Sequence, residues 1–463
     1  MKKFTTITLL SLLILTIQAI DFPTFKEFQN HIKAESHRVM NSETHAKIRA
    51  ERNSRNYEIG DTKDFWRWDF SNMPPAWEIA QATCRAVGEH CYIFVSDDQW
   101  NTNMNQDDVD TILPYLEETT MNGDDFGAIE MDIDLFGEIP DELDNDEKII
   151  VYYSDLGSFQ GSVFDGYFSA YNQVTEEEAQ TMNPSGHSNE CEMLYMTCHP
   201  LNPTEPVRIS VLSHELQHMI HWLGDENETT WVDEGMAELA MVHFGMPDPI
   251  SSFNSNPNYS LNMWDQQWKD YVKVLLFFTY LDEHFVSENL IADIVSEPLN
   301  GIAGITNQLN EHEFTTSFEE LFSNWVVANF LDEEDIYDGL YNYESLDIPT
   351  FSYSNYSIDE EESGTIQPWA TKYFKIFHEN QLSMMIDLNH NIDIALIKKG
   401  TDINSEVSII SVDGTEDLLF PELEEGFSNH TFALVNNNDS SLTYNFTIQE
   451  VANNNDSEEI SDL

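Results

Sequence analysis

His214-Glu215-Leu216-Gln217-His218 places two imidazoles four residues apart with a carboxylate beside the first. On a helix, positions 214 and 218 stack on one face, so both rings reach one ion. Zinc takes neutral imidazole nitrogen readily and prefers a tetrahedral site. Glu215 then lies on the flank, where it reaches a water at the metal without ligating the metal, the place of a general base. This motif alone is weak, because 15 His and 84 Asp and Glu make chance occurrences common. The run Trp231-Val232-Asp233-Glu234-Gly235-Met236-Ala237-Glu238 follows shortly and strengthens it. Glu234, on a second helix, is the expected third ligand. Glu238 shares its helical face and can fix a ligand imidazole by hydrogen bonding.

Rival ligands exist. His221 continues the face of His214 and His218, but three histidines on one straight helix strain a tetrahedral site; a supporting or solvent-facing role fits it better. Helical spacing alone does not separate Glu238 from Glu234 as third ligand. His187 and His199 flank the second cysteine pair and read as bystanders, with His187 within reach of a substrate. Asp132, Asp134, Asp141, Asp144 and Asp146 crowd one stretch, and alternating Asp can bind Ca2+. No EF-hand pattern is present, so this stretch reads as a solvated acidic loop.

The elements that must position these groups are legible in part. Thr204 and Pro206 suit the start of the helix carrying the histidines, and Gly224 its end. Leu212, Leu216, Met219, Ile220 and Leu223 form an apolar stripe opposite the ligands. Cys91–Val95 and Ile149–Tyr153 read as strands, with a helix over Asp107–Phe126 between them. Further helices are expected over Trp264–Phe285 and Ser317–Leu331, after a long loop from Pro247 to Ser260. Val407–Ile410, Thr431–Val435 and Tyr444–Ile448 are short β-prone runs. The expected fold class is therefore α+β: a metal-binding domain over residues 61–350 that carries the histidine pair, then a small all-β, sandwich-like domain over 351–450. Residues 451–463 form an acidic, disordered tail.

The 463 residues carry a net charge of −64, which makes nucleic acid and anionic lipid poor partners. Residues 1–19 read as a signal peptide: Lys2 and Lys3, an apolar run from Ile7 to Ile17, and a cleavage site at Ala19. No other stretch is apolar enough to span a bilayer, so membrane insertion is not expected. The chain is expected to be exported: secreted, periplasmic or at the cell surface. Cys84 with Cys91, and Cys191 with Cys198, then read as two local disulfides, the alternative being a four-cysteine zinc site of unusual spacing. Residues 20–60 are helical and basic, with Lys26, Lys33, Arg38, Lys47, Arg49, Arg52 and Arg55 against fewer acids. Opposite charge suits a propeptide over the cleft, and equally an ordinary docked helix.

HELQH followed by WVDEGMAE resembles the gluzincin pattern, in which two histidines and a downstream glutamate hold zinc. More narrowly, the chain resembles the hyicolysin-type neutral metallopeptidases. Ser188-Asn189-Glu190, Met193-Leu194-Tyr195, Gly301–Ile305 and Phe318–Asn329 carry the likeness, which covers roughly residues 60–390. The resemblance implies a gluzincin-like zinc domain and hydrolysis of protein or peptide substrates. One departure is Asp233, which stands where related enzymes often have Asn. Asp270-Tyr271-Val272-Lys273 looks like the segment that supplies an oxyanion-binding tyrosine in aminopeptidase-type gluzincins, which makes Tyr271 a candidate beside Glu215. The main expectation is an endopeptidase. An aminopeptidase lacks a visible motif for the free amine, and a non-catalytic binding protein on a peptidase scaffold has no need of Glu215.

Overall fold

A computed structural model describes residues 24–40, 56–70, 75–141, 143–159, 162–401 and 403–451. The expected signal peptide, most of the acidic tail and the basic residues Lys47 to Arg55 lie outside these. The first helix, α1 (Phe25–Met40), buries Phe28, Ile32 and Val39. Its Phe25 ring meets Trp68 and Phe70 edge-on at 5.4 and 5.1 Å.

Six strands build the first sheet: β1 (Thr62–Asp69), β2 (Ala76–Val87), β3 (Cys91–Ser96), β4 (Ile149–Asp155), β7 (Gly166–Phe168) and β8 (Met193–His199). A two-residue-per-strand hairpin, β5 (Ser158–Phe159) with β6 (Ser162–Val163), stands apart. The sheet order is β1-β2-β3-β4-β8-β7. β3, β4 and β8 run parallel, with Tyr92 opposite Ile150 and Ile150 opposite Met193. β4 is covered on both faces, which explains its unbroken apolar run. β7 is antiparallel to β8 and forms an edge. β1 and β2 bury their residues irregularly, without a regular two-residue alternation, so their sequence does not mark them as strands.

The helices follow mainly after the sheet: α2 (Gln106–Glu117), α3 (Ala128–Phe136), the single turn α4 (Glu176–Ala179), α5 (Pro206–Gly224), α6 (Thr230–Phe244), α7 (Trp268–His284), α8 (Leu290–Val295), α9 (Ile302–Glu311) and α10 (Phe318–Leu331). This segregation is α+β. The helix expected over Asp107–Phe126 stops at Glu117, after Pro114, and the chain turns through Thr119–Gly123 before α3. That expected from Trp264 starts at Trp268, because the Asp270 carboxylate accepts from the Asp265 and Gln267 N–H groups and caps the helix there.

The rest of the chain forms two facing sheets. One has the order β10-β17-β12-β15 and the other β14-β13-β16-β11-β9. These are β9 (Tyr353–Asn355), β10 (Glu361–Ile366), β11 (Ala370–Ile376), β12 (Leu382–Leu388), β13 (Ile392–Gly400), β14 (Glu406–Val412), β15 (Thr415–Phe420), β16 (Phe427–Asn436) and β17 (Leu442–Glu450). Alternate residues, among them Phe374, Met384, Phe432 and Phe446, fill the space between the sheets. The opposite face of the five-stranded sheet is covered too. Trp369, Tyr373, Ala433 and Val435 join the main core, and the Tyr373 hydroxyl donates to the Val326 carbonyl on α10 at 2.7 Å.

The expected disulfides are not formed; all four cysteines are buried thiols. Strand geometry is the reason. Cys84 pairs with Phe94 across β2 and β3, whereas Cys91 faces Gly88, a register offset of about 10 Å at ~3.3 Å per residue. Cys198 lies within the extended β8 and Cys191 two residues before its start, and the strand alone sets Met193 more than about 15 Å from Cys198 at ~3.3 Å per residue. Disulfides need Cα atoms about 4.4–6.8 Å apart. The acidic stretch also differs from a solvated loop. Asp132 and Asp144 are 0 and 3% exposed, and Asp132 accepts a hydrogen bond from Ser213 on α5 at 2.7 Å.

Candidate metal centre

Pro206 opens α5 at its first turn, where its missing N–H costs nothing. The helix buries Leu212, Leu216, Met219 and Ile220, leaving the face of His214 and His218 toward α6. The two imidazole rings stand 4.8 Å apart and nearly perpendicular. Glu234, in the second turn of α6, brings Oε2 to 3.4 Å from Nε2 of His214 and 3.7 Å from Nε2 of His218. Ligand atoms about 2.0–2.1 Å from a zinc ion at tetrahedral angles stand about 3.4 Å apart. The three side chains therefore fit a tetrahedral metal with little movement.

The remaining ring nitrogens face carboxylates, as metal-ligating histidines require. Nδ1 of His218 is 3.0 Å from Oδ1 of Asp233. Nδ1 of His214 is 3.6 Å from Oε1 of Glu238, ion-pair distance but too long for a hydrogen bond. Asp233 thus turns toward the metal helix. His221 is buried, its Nδ1 lies 3.5 Å from Asp233, and burial drives its pKa down to about 3, Asp233 offsetting only part. It is neither solvent-facing nor within the ligand cluster.

Two lysines from α1 close the far side. The Lys26 ammonium lies 2.7 Å from Oε1 of Glu234 and 2.8 Å from Oδ2 of Asp233. Lys33 donates to both Asp233 oxygens at 2.9 Å. Burial alone would raise the pKa of both carboxyl groups. Lys26 first, helped by Lys33 at Asp233 and by His214 at Glu234, instead holds both well below the usual carboxylate range. Glu238, with no lysine, is pushed well above that range by burial and then by Asp248. Lys26 binds the Glu234 oxygen that points away from the histidines, so it and a metal can occupy the carboxylate together.

Glu215 and His214 line a cleft of about 530 Å³ with Gly166, Arg208, Glu238 and Tyr271. Oε2 of Glu215 accepts the Phe168 N–H of the edge strand β7 at 3.0 Å. Gly166 permits this approach: a Cβ there would lie 2.9 Å from Sδ of Met196 and 3.1 Å from Cγ of Glu215. Gly235 likewise lets α7 close on α6, since a Cβ would lie 2.1 Å from the Phe278 ring. Tyr271 is wedged between Trp264 and Trp268, ring centroids 5.0 and 6.3 Å away. Burial, then Glu234, Glu238 and Glu215, raise its pKa well above the usual phenol value. Lys273 instead turns inward, 2.7 Å from Asp270.

His187 is held outside the cleft. Its ring stacks on Trp66 at 3.6 Å and its Nδ1 meets Glu176 at 2.6 Å. Asn189, from the Ser-Asn-Glu motif, locks strands together by donating to the Trp66 carbonyl at 2.8 Å and to the Tyr195 hydroxyl at 2.7 Å. Lys26, Lys33 and the histidine-orienting role of Asp233 had no signal in local spacing. The Arg208–Asp165 pair at 2.5 Å, which also borders the cleft, had none either.

No family model and no curated protein matches the chain. Among solved structures it is similar over a fifth of its length to small β-rich proteins. A de novo designed double-stranded β-helix shares 13% identity over 19% of this chain and 99% of its own, with a TM-score of 0.15. PirA shares 10% over 20% and 97%, with a TM-score of 0.17. The pre-peptidase C-terminal domain of a collagenase from Bacillus anthracis shares 7% over 21% and 95%, with a TM-score of 0.17. Likeness at this level carries no argument about this chain.

Proposed function

We propose that this chain is an exported zinc-dependent metalloendopeptidase with a gluzincin-like domain, similar to the hyicolysin-type enzymes. The observation that carries the reading is the convergence of His214, His218 and Glu234 at tetrahedral ligand spacing, with Glu215 and Tyr271 lining the adjoining cleft. When bound, zinc supplies Lewis-acid polarisation of the scissile carbonyl and lowers the pKa of a water to about 7. His214, His218 and Glu234 would hold the metal, with Asp233 fixing the His218 ring. Glu215 takes a proton from the attacking water and returns it to the leaving amine, its Oε2 held by the Phe168 N–H. Tyr271, whose raised pKa keeps its proton at neutral pH, donates a hydrogen bond to the developing oxyanion.

The test is hydrolysis of unfolded casein and of N-blocked peptides, with metal content read on the same sample. About one zinc per chain is expected, with activity lost to a chelator and restored by zinc. Cleavage only of peptides with a free N-terminal amine would make the chain an aminopeptidase. Absence of bound metal would sink the reading.

Tyr271→Phe is expected to lower kcat by about 10- to 1,000-fold, with KM and zinc content little changed. Steady-state kinetics on one blocked peptide check this. An unchanged kcat would reduce Tyr271 to a packing residue.

A further inference from the structure

A second group of ligand-type oxygens lies outside the cleft. Asp141, Asp144 and Glu192 each bring one carboxylate oxygen within 4.8 Å of the others. Asp144 and Glu192 are 3 and 2% exposed, while Asp141 reaches the surface. Among the described residues, neither oxygen of Glu192 meets a hydrogen-bond partner. Carboxylates buried in this way are normally paired or bound to metal. Here the nearest charged groups to Glu192 are the two aspartates, which make its isolation worse. The backbone fixes the grouping. Ile150, at the head of β4, donates its N–H to the Glu192 carbonyl at 2.8 Å. Oδ1 of Asp144 accepts the Asp146 N–H at 3.1 Å, which shapes the loop leading into β4. The trio therefore sits where the parallel strands β4 and β8 both begin.

We propose that Asp141, Asp144 and Glu192 form a binding site for one divalent cation of the calcium class, which ties the loop before β4 to the base of β8. Hard cations take oxygen ligands, and Ca–O distances of about 2.3–2.6 Å place opposed ligand oxygens about 4.6–5.2 Å apart. The three oxygens lie within 4.8 Å of one another, which fits within one such shell. Magnesium prefers near-ideal octahedral geometry and keeps several waters, so a three-carboxylate protein site suits calcium better. The ion also supplies the buried Glu192 carboxylate with a counter-charge. This site stands independently of the zinc reading, since none of its residues touches His214, His218 or Glu234.

The experiment uses the full chain, stripped with chelator and reloaded with zinc alone. Calorimetric titration with Ca2+ and with Mg2+ is paired with the thermal midpoint in each ion. Wild type is expected to bind one Ca2+ at the site, with Kd on the order of 10⁻⁶–10⁻³ M, and to melt higher in Ca2+ than in Mg2+. Glu192→Gln is expected to bind Ca2+ at least about tenfold more weakly and to lose the calcium-dependent shift. Its cation-free form should melt no lower than the cation-free wild type, because a buried repulsion has been removed. That opposite sign separates ligation from a structural role. If Glu192→Gln fails to fold, the surface variant Asp141→Asn must weaken Ca2+ binding instead. Full retention of binding in the variant that folds, or no calcium-dependent shift in wild type, would overturn the proposal. Preference for Mg2+ would overturn the calcium assignment.

Discussion

Glu215→Gln is expected to abolish peptide hydrolysis while leaving zinc bound. The substitution keeps shape and one acceptor oxygen, so the Phe168 N–H retains its partner. It removes the basic group that accepts the proton of the attacking water. General-base catalysis contributes about 10²–10⁴-fold, so kcat should fall by about that factor. Glu215 does not belong to the ligand cluster, so zinc content should stay near one per chain. Parallel measurement of kcat and bound zinc checks both halves. Loss of metal together with activity would move Glu215 from catalysis to ligation.

Asp233→Asn is expected to cost the fold more than any other single change at the site. The asparagine keeps a hydrogen-bond acceptor for Nδ1 of His218 but leaves Lys33, 7% exposed, without its counter-charge. Breaking a buried ion pair by removing one partner costs about 3–5 kcal/mol, a large share of a stability of about 5–15 kcal/mol. Denaturant melts of both proteins in chelator measure this without the metal's contribution. The pH dependence has a defined sign. The folded-state pKa of Asp233 is depressed, so its contribution is complete above the ordinary Asp pKa of about 3.9. It is lost as pH falls through the lower, folded value. Asp233 also raises the His218 pKa against burial, so in chelator the gap should shrink as pH rises through the folded His218 value, then hold at the level set by the lysines, and it should close in strong acid. A gap that persisted in strong acid would mean that the charge of Asp233 does not set it.

The legible part of this site was the part set by helix periodicity. His214, Glu215 and His218 belong to one helix, and their relative placement follows from 3.6 residues per turn. Glu234 and Glu238 repeat the argument one helix later. What escaped were partners brought together by tertiary packing. Lys26 and Lys33 reach Asp233 across 207 and 200 residues, and no local pattern encodes such a meeting. Asp233 was noticed as a departure from related enzymes, but its direction toward His218 needed the crossing of α5 and α6. The cysteines misled for a related reason. A spacing of seven reads as a local disulfide, whereas Cys198 lies within the extended β8 and Cys191 two residues before its start. In the C-terminal part, β14, β16 and β17 were legible because their apolar runs are strong. β10 and β15, solvent-facing on alternate residues, carried too little apolar signal.

β16 runs through the middle of the five-stranded sheet with Phe432 and Leu434 on one face and Ala433 and Val435 on the other, all without solvent exposure. A strand clamped in this way is a mechanical joint. Tension applied to the C-terminal sheets passes through Tyr373 and Trp369 directly into α10, with no hinge in which to dissipate. The module therefore cannot swing as a tethered anchor while the cleft turns freely. A partner that docks on the outer four-stranded sheet, where Met385 and Leu419 stand 62 and 60% exposed, would fix the orientation of the cleft by doing so.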